Sequence, residues 1–337
     1  MHAKLPRRVL GSTGLEVSVL GFGASPLGSV FEEINEADGI AAVHEAFRLG
    51  INVFDTSPFY GATKSETVLG KALKDLPREQ IVVCTKVGRY GPELFDFSAE
   101  RITASVAESL ARLQTPYIDL LQCHDIEFAP LDQIVNETLP ALARLKERGL
   151  VRFVGITGLP LGVFPYVLDR APPGAVDVVL SYCHYSLNDT SLAGLVPYLR
   201  AKGLGVISAS PLSMGLLTKQ GPPSWHPAPP EVKAACAAAA SHCAAQGVDI
   251  SSLALKFALR NPDIATTLVG MASVEVVRAN VESALAALGA GGGDAAGGTS
   301  EAAGAELRAL AEVERILAPA RDVTWPSGRP ENSGLPF

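Results

Sequence analysis

The stretch INVFDTSPFYG (residues 51–61) joins an apolar run to a polar turn. Its first part contains β-branched and aromatic residues, which favour a strand buried inside a protein. Asp55 follows this run directly, and the turn residues Pro58 and Gly61 come soon after it, with Tyr60 between them. In open α/β sheets and α/β barrels, the residues just past a parallel strand lie at its carboxyl end, where active sites form. The stretch therefore predicts a strand that ends at a functional site.

Two later runs carry an ionisable residue at the same place. IVVCTKVG (81–88) has Lys86 near its end, and IDLLQCHD (118–125) has His124 near its end. Packing alone gives no reason for a carboxylate, an ammonium and an imidazole to occupy equivalent positions after three buried runs. We therefore predict that these two residues join the acid and the tyrosine of the first stretch in one catalytic group.

Strand-like and helical segments alternate along the chain, which predicts the fold. The strand-like runs are rich in Val, Ile and Leu, as parallel strands buried on both faces are. Eight such runs predict a closed (β/α)8 TIM barrel with its active site at the C-terminal ends of the strands. A doubly wound sheet is the alternative, but no G-x-G-x-x-G follows the first run, where Pro26 replaces the third glycine. The runs are VSVLGFG (17–23), INVFD (51–55), QIVVCTK (80–86), IDLLQCH (118–124), VRFVGIT (151–157), AVDVVLSY (175–182), LGVISAS (204–210) and IATTLVG (264–270).

The chain is expected to form one barrel domain over residues 1–337. An Ala/Gly-rich stretch at 289–305 interrupts the last helices and predicts a flexible surface insertion. The tail at 320–337 is rich in Pro and Gly, so it is either disordered or a strap across the barrel mouth. Pro140 falls inside a helical pattern and predicts a bend there.

The composition limits the partners and the compartment. A net charge of −7 argues against nucleic acids and anionic membrane surfaces, which select basic proteins. No apolar stretch is long enough to span a bilayer, and the N-terminal residues lack the apolar segment of a secretory signal. The five cysteines are dispersed without a C-x-x-C pair, so neither a metal site nor a disulfide framework is indicated. We expect a cytoplasmic protein whose partner is a small molecule.

Together the four side chains can move one proton on or off a carbonyl oxygen. A tyrosine phenol has an ordinary pKa of about 10, and a neighbouring ammonium such as that of Lys86 should lower this pKa. Asp55 would keep the lysine charged, and His124 would donate a hydrogen bond that orients the substrate. These groups lack a redox centre, so the reaction needs a hydride carrier, and nicotinamide is the simplest choice.

The same residues resemble the aldo-keto reductase superfamily, whose tetrad of Asp, Tyr, Lys and His lies on a (β/α)8 barrel. The resemblance implies that Tyr60 is the general acid/base, that Lys86 and Asp55 tune it, and that His124 orients the substrate. SYCHYSLND (181–189) and similar motifs most resemble the plant members that oxidise L-galactose at C1 to the lactone, on the route to ascorbate.

The resemblance also implies a set of dinucleotide contacts. The family holds the nicotinamide carboxamide with a Ser-Asn pair and a Gln. In this chain Thr157-Gly158 stands at the position of the Ser-Asn pair, and Ser181-Tyr182 stands near the position of the Gln. Thr157 therefore keeps a hydroxyl in place of the family's Ser, but the side-chain amides of the Asn and the Gln are absent at these positions. The implied contacts are Gly23, Ala24 and Asp55 near the nicotinamide, Thr157, Ser181 and Tyr182 at the carboxamide, Ser210, Leu212 and Gly215 at the pyrophosphate, and Gly270, Ser273 and Asn280 at the adenosine end.

The adenosine end predicts NAD rather than NADP. Many NADP-dependent members grip the 2′-phosphate with two basic residues, at positions that are Gly270 and Val276 here. A phosphate dianion without a cationic partner would be costly to bind. Arg278 is close in sequence, but its helical phase differs from that of Val276, so it should point elsewhere.

The residues leave the choice of substrate open. D-arabinose, L-fucose, a D-threo-aldose or pyridoxal would suit the same chemistry. Some members of the superfamily are cofactor-binding subunits of ion channels, and an intact tetrad does not exclude that role. The candidates for the pocket rim are Phe59, Tyr90, Tyr182, Met214 and Trp325.

Overall fold

Eight parallel strands form a closed barrel, as the alternating pattern predicts. The structure is a computed structural model, and it describes residues 4–289 and 299–337. Strands β3 to β10 follow one another around the barrel, and β10 closes it by pairing with β3. The strands are β1 (Arg7–Val9), β2 (Glu16–Ser18), β3 (Leu20–Gly23), β4 (Val53–Asp55), β5 (Val82–Val87), β6 (Ile118–Cys123), β7 (Val151–Gly158), β8 (Val178–Tyr182), β9 (Gly205–Ala209) and β10 (Thr266–Gly270).

Helices follow the barrel strands and cover the outside of the barrel. Ser98 caps the N-terminus of α3, because its hydroxyl accepts a hydrogen bond from the Arg101 N–H. None of the helices in the described part of the chain is long and apolar enough to cross a bilayer. The helices are α1 (Glu36–Arg48), α2 (Lys64–Leu73), α3 (Ala99–Leu113), α4 (Leu131–Gln133), α5 (Leu139–Glu147), α6 (Val163–Leu168), α7 (Leu192–Ala201), α8 (Pro230–Ala245), α9 (Ile250–Leu259), α10 (Val274–Ala287), α11 (Thr299–Leu317) and α12 (Pro330–Ser333).

The first predicted strand, 17–23, is wrong as a single element. Its first residues belong to β2, which pairs antiparallel with β1, and only β3 enters the barrel. The break falls at Val19, directly after Ser18. The Ser18 N–H donates to Asn52 Oδ1 at 2.7 Å, and its hydroxyl donates to the Leu20 carbonyl at 2.7 Å. Side-chain hydrogen bonds at this residue replace a continuous ladder, so the chain changes direction there.

The β1–β2 hairpin closes the N-terminal end of the barrel. Leu10, Leu15 and Val17 pack in one cluster with interior residues of the barrel such as Val53 and Leu120. The barrel interior at this end is therefore filled with apolar side chains, and active sites of such barrels lie at the opposite end, where the strands finish.

The C-terminal tail is a strap, the second of the two predicted alternatives. Trp325 is buried, and residues beyond it contact the segment that follows β6. Asn332 Nδ2 donates to the carbonyls of Glu127 at 2.8 Å and Ala129 at 2.9 Å. The tail at 320–337 therefore packs at the active-site end of the barrel.

Two other predicted features, the insertion at 289–305 and the bend at Pro140, fall in or next to helices. Of the expected insertion at 289–305, residues 290–298 lie outside the described residues, and the part from Thr299 onward belongs to α11. The bend expected at Pro140 stays a prediction: the helical run passes from a π-helical turn at Ile134–Thr138 into α5, and Pro140 lies in the first turn of α5.

Candidate active site

Asp55, Lys86 and His124 come from three neighbouring strands, and all three side chains are buried. Residues two apart in a strand face the same side of the sheet. Asp55 lies two residues after Val53, and Lys86 two residues after Cys84, and both of these earlier residues pack inside the barrel. The alternation therefore directs the polar side chains into the barrel mouth, above an apolar floor.

Lys86 and Asp55 form a buried ion pair. Lys86 Nζ donates to Asp55 Oδ1 at 2.5 Å and to the Thr56 carbonyl at 2.9 Å. Gln122 Nε2 donates to the other carboxylate oxygen, Oδ2, at 3.0 Å. The sequence prediction missed Gln122, although its position two residues before His124 puts it on the same interior side of β6.

Tyr60 lies above this pair, on the loop between β4 and α2. The centroid of its ring is 5.0 Å from Lys86 Nζ and 5.7 Å from the centroid of the His124 ring, which it meets edge-on. The loop packs closely on the segment after β3, because a Cβ at Gly28 would come within 2.7 Å of the Tyr60 carbonyl carbon and one at Gly61 within 2.1 Å of the Gly28 oxygen. Glycine at both positions is therefore what lets the tyrosine reach the barrel mouth.

The expected lowering of the Tyr60 pKa is wrong as a net effect in this structure. Burial raises the pKa of Tyr60 above its ordinary value, and the charge of Lys86 offsets only part of that rise. Burial alone would lower the pKa of Lys86, but the charges of Asp55 and Tyr60 outweigh it and raise the pKa instead. Lys86 therefore stays charged, although the phenol keeps its proton more tightly than expected.

His124 is enclosed by polar groups that the sequence prediction did not include. Its Nδ1 lies 3.0 Å from the Ser57 hydroxyl, and its Nε2 lies 3.6 Å from Asp125 Oδ2. Arg89 donates to Asp125 Oδ2 at 2.5 Å and stacks 4.0 Å over the ring of Phe59. Burial lowers the pKa of His124 to about 3, with contributions from the charges of Lys86 and Arg89, and Asp125 offsets only part. The imidazole is therefore neutral at physiological pH.

The residues predicted to hold the carboxamide are not all directed toward the pocket. Thr157 Oγ1 accepts from the Asp125 N–H at 2.8 Å and donates to Asp125 Oδ1 at 3.1 Å, so toward a ligand it can only accept. Leu180 packs inside the barrel, so strand alternation directs Tyr182 inward and Ser181 toward the helices. The Ser181 hydroxyl is buried and has no hydrogen-bond partner among the described residues. The prediction of a Ser181 side-chain contact with cofactor is therefore not supported by its orientation.

Gly23 and Ala24 lie next to the tetrad, as the sequence predicts. Gly23 pairs with Asp55 across β3 and β4, and the Ala24 N–H donates to the Asp55 carbonyl at 2.8 Å. A Cβ at Gly23 would come within 2.9 Å of the Val269 carbonyl oxygen. Glycine there keeps the neighbouring strands in close contact.

The loop after β9 contains several residues with left-handed backbone conformations. Ser210 has a φ of 58°, and Ser213, Met214 and Gly215 follow with φ values of 47°, 52° and 100°. Most backbone N–H groups of this loop are bonded within the loop itself: those of Ser213 and Gly215 donate to the carbonyls of Ser210 and Leu212. The pyrophosphate contacts at Ser210, Leu212 and Gly215 stay a prediction.

The segment from β10 into α10 holds the remaining predicted contacts. Gly270 is exposed at the end of β10, and Ser273 caps α10 by accepting from the Val276 N–H. Asn280 lies one turn further along the helix and is half-buried, while Val276 is exposed. A dinucleotide bound at this end would meet a serine hydroxyl and an asparagine amide.

Arg278 points away from this end, as its helical phase predicts. Its Nε donates to Glu45 Oε1 on α1 at 2.7 Å. Glu275, in the first turn of α10, has its pKa lowered by hydrogen bonds from its own backbone N–H and from Ser273. It is therefore ionised at neutral pH, beside the residues that would receive a 2′-phosphate.

The fold and these side chains together define a class of protein. The chain belongs to the aldo/keto reductase family, whose model matches residues 19–289. Its sequence is 58% identical to L-galactose dehydrogenase from Arabidopsis thaliana, over 98% of this chain and 99% of that protein. It is 38% identical to D-arabinose 1-dehydrogenase from Saccharomyces cerevisiae, over 64% of this chain and 66% of that protein.

Solved structures agree with this assignment. An aldo-keto reductase from Bacillus halodurans, solved in its holo form, superposes with a TM-score of 0.71 at 27% identity. The match covers 98% of this chain and 99% of that one. Within residues 4–289 and 299–337, no cluster of three His, Cys, Asp or Glu side chains could hold a metal ion.

Proposed function

We propose that this protein oxidises an aldose at C1 to the lactone, with NAD as hydride acceptor and L-galactose as the sugar. One observation carries the chemistry: Tyr60 lies 5.0 Å above a buried lysine that is paired with Asp55, beside His124 at the open end of the barrel. The choice of L-galactose rests on 58% identity to a dehydrogenase of that sugar along nearly the whole chain.

The four side chains divide the work on the C1 hydroxyl. Tyr60, as the phenolate, takes the proton of this hydroxyl, and the ammonium of Lys86 stabilises the phenolate. Asp55 keeps that lysine charged. His124 donates a hydrogen bond from Nε2 to the C1 oxygen and holds it near the phenolate. A bound, oxidised nicotinamide would supply the acceptor for the hydride of C1.

NAD is the proposed carrier because, among the described residues of α10, no cation is free to pair with a 2′-phosphate at the adenosine end. Arg278 is held by Glu45, Val276 is apolar, and Glu275 places a negative charge in the same turn. An unpaired phosphate next to a carboxylate would be repelled, whereas the ribose hydroxyl of NAD could bond to Ser273 or Asn280. Steady-state kinetics with both carriers test this choice, and equal or better kcat/KM with NADP would overturn it.

The activity itself is tested by following NADH formation from a panel of sugars. L-galactose should give the highest kcat/KM, compared with D-galactose, D-arabinose and L-fucose. D-arabinose is the second candidate, because a dehydrogenase of that sugar is 38% identical over 64% of this chain. A higher kcat/KM for another sugar would change the proposed substrate and leave the proposed reaction, oxidation at C1, in place. Absence of turnover with every sugar would overturn the proposed function.

A further inference from the structure

Ser57 is a buried hydroxyl that contacts His124 and lies outside the tetrad. Its side chain has no exposed surface, and its Oγ lies 3.0 Å from His124 Nδ1. The same oxygen accepts a hydrogen bond from the Phe59 N–H at 3.1 Å. Ser57 lies in the turn between Asp55 and Tyr60, so it is close to the groups that would act on the substrate.

The hydrogen bonds of Ser57 decide which atom is the donor. A serine hydroxyl has one proton, and a buried donor without an acceptor is destabilising. Among the described residues, the ring of His124 is the acceptor within reach of that proton, because Phe59 offers only an N–H. The hydroxyl therefore donates to Nδ1, which requires Nδ1 to carry no proton.

The other side of the ring leads to the same conclusion. Nε2 lies 3.6 Å from Asp125 Oδ2, a carboxylate that also accepts from Arg89. A carboxylate can only accept, so it favours a proton on Nε2. With a donor at Nδ1 and an acceptor near Nε2, the neutral ring is held with its proton on Nε2.

The tautomer matters because this histidine does not become charged at working pH. Its pKa lies near 3, chiefly because it is buried. A neutral imidazole has one N–H, and whether Nε2 donates or accepts depends on which nitrogen carries it. Only the Nε2–H form can donate to the C1 oxygen of a sugar.

We propose that Ser57 is a positioning residue that keeps His124 in the tautomer with its proton on Nε2. The link from this tautomer to turnover rests on the proposed function, but the tautomer itself is a property of the free protein.

Long-range proton–nitrogen NMR of the free, uniformly labelled protein tests the tautomer directly. The His124 signals are assigned by their loss in His124→Asn. We expect Nδ1 to resonate as a hydrogen-bonded acceptor and Nε2 as a protonated nitrogen. A protonated Nδ1 in the wild-type protein would overturn the proposal. In Ser57→Ala, the Nδ1 signal should move toward that of an unbonded acceptor or of a mixture of tautomers, and an unchanged signal would also count against it.

Kinetics of the same variants test the consequence. Ser57→Ala should lower kcat by about 10- to 100-fold, because part of the population no longer presents the Nε2 donor. Its affinity for NAD should stay unchanged. Ser57→Thr keeps a hydroxyl and should retain most of the activity and the wild-type Nδ1 signal. Ser109→Ala is the matched control: it removes another fully buried serine hydroxyl, which accepts from Arg112 on α3, away from the site.

The two proposals fail in different ways. If the wild-type protein turns over no sugar but its spectrum shows the Nε2–H form that Ser57→Ala disturbs, the function is wrong and the positioning role stands. If it oxidises a sugar and Ser57→Ala keeps full kcat, the positioning role is wrong and the function stands.

Discussion

Replacing Asp55 with Asn should reduce both stability and activity, because it leaves the Lys86 ammonium buried without a counter-charge. The asparagine can keep one acceptor toward Nζ at the position where Asp55 Oδ1 now lies, 2.5 Å away. The side-chain NH₂ group of the asparagine would then face Gln122. The Oε1 of Gln122 has no hydrogen-bond partner in the described part of the chain, so the Gln122 amide can rotate and accept from this new N–H. The hydrogen bonds are thus largely retained, and the change isolates the loss of charge.

The structure sets the size of the effect. Both partners are almost fully buried, and breaking such a pair typically costs about 3–5 kcal/mol. Because hydrogen bonding is preserved, we expect about 3 kcal/mol, which lowers the unfolding temperature of a chain of this length by about 4 °C. The pKa of Lys86 should fall, since burial is then opposed mainly by Tyr60. The phenolate loses its cation, so kcat should fall as well.

Calorimetry and steady-state kinetics measure the two effects, with Asp119→Asn as the control. Asp119 is also fully buried and pairs with Arg78 and Arg152, but 21% and 47% of these two side chains reach solvent. Water can hydrate those guanidinium groups, so the control should lose about 1 kcal/mol and keep full kcat. The reasoning is refuted if Asp55→Asn unfolds at the wild-type temperature with normal turnover, or if the control loses activity to the same extent.

Three further predictions follow from the site. Tyr60→Phe should lower kcat by at least about 100-fold, because no group is left to take the proton; fluorescence titration should show unchanged NAD affinity, and normal turnover would contradict the role. In the wild-type protein, kcat/KM for oxidation should keep rising past pH 9, because the reaction requires the deprotonated phenol of Tyr60 and burial raises the pKa of that phenol. His124 has a pKa of about 3 and should add no further step to the pH profile at neutral or alkaline pH. A plateau of kcat/KM below pH 8 would argue against this. Burial and the charge of Asp125 raise the pKa of Glu127 to about 8, so the folded state binds this proton more tightly than the unfolded state, and stability should fall as pH rises from about 4.5 to 8. Glu127→Gln should therefore unfold like the wild type at pH 4 and at a higher temperature at pH 9, and equal unfolding temperatures at both values would exclude that charge effect.

The barrel and three of its polar side chains could be predicted because their signals are local. Asp55, Lys86 and His124 each follow a buried run, and parallel strands bring such positions to one end of a barrel. Strand alternation also determines the orientation of two side chains that the sequence prediction missed or misplaced. The interior position of Leu180 is enough to direct Ser181 away from the pocket, and the interior side of β6 includes Gln122.

Other features depend on contacts between distant segments and leave no local pattern. Arg89 reaches the site through its ion pair with Asp125 and its stacking on Phe59, which come from other strand ends. The division of the first predicted strand depends on Asn52, which lies 34 positions from Ser18. The tail could be either disordered or a strap on its composition, and its contacts with Glu127 decide between the two.

The pKa of Tyr60 shows why the chemistry of a site is harder to predict than its residues. The sequence places a lysine beside the tyrosine, which correctly gives one contribution to its pKa, but burial of the phenol gives a larger, opposing one. Val53 and Cys84, two residues before Asp55 and Lys86, are apolar side chains packed inside the barrel. They exclude water beneath the polar groups, which strengthens the lysine–aspartate pair and at the same time disfavours the phenolate. The cation is therefore needed because the site is buried: without it, burial and the charges of Asp55 and Asp125 would raise the pKa of Tyr60 further.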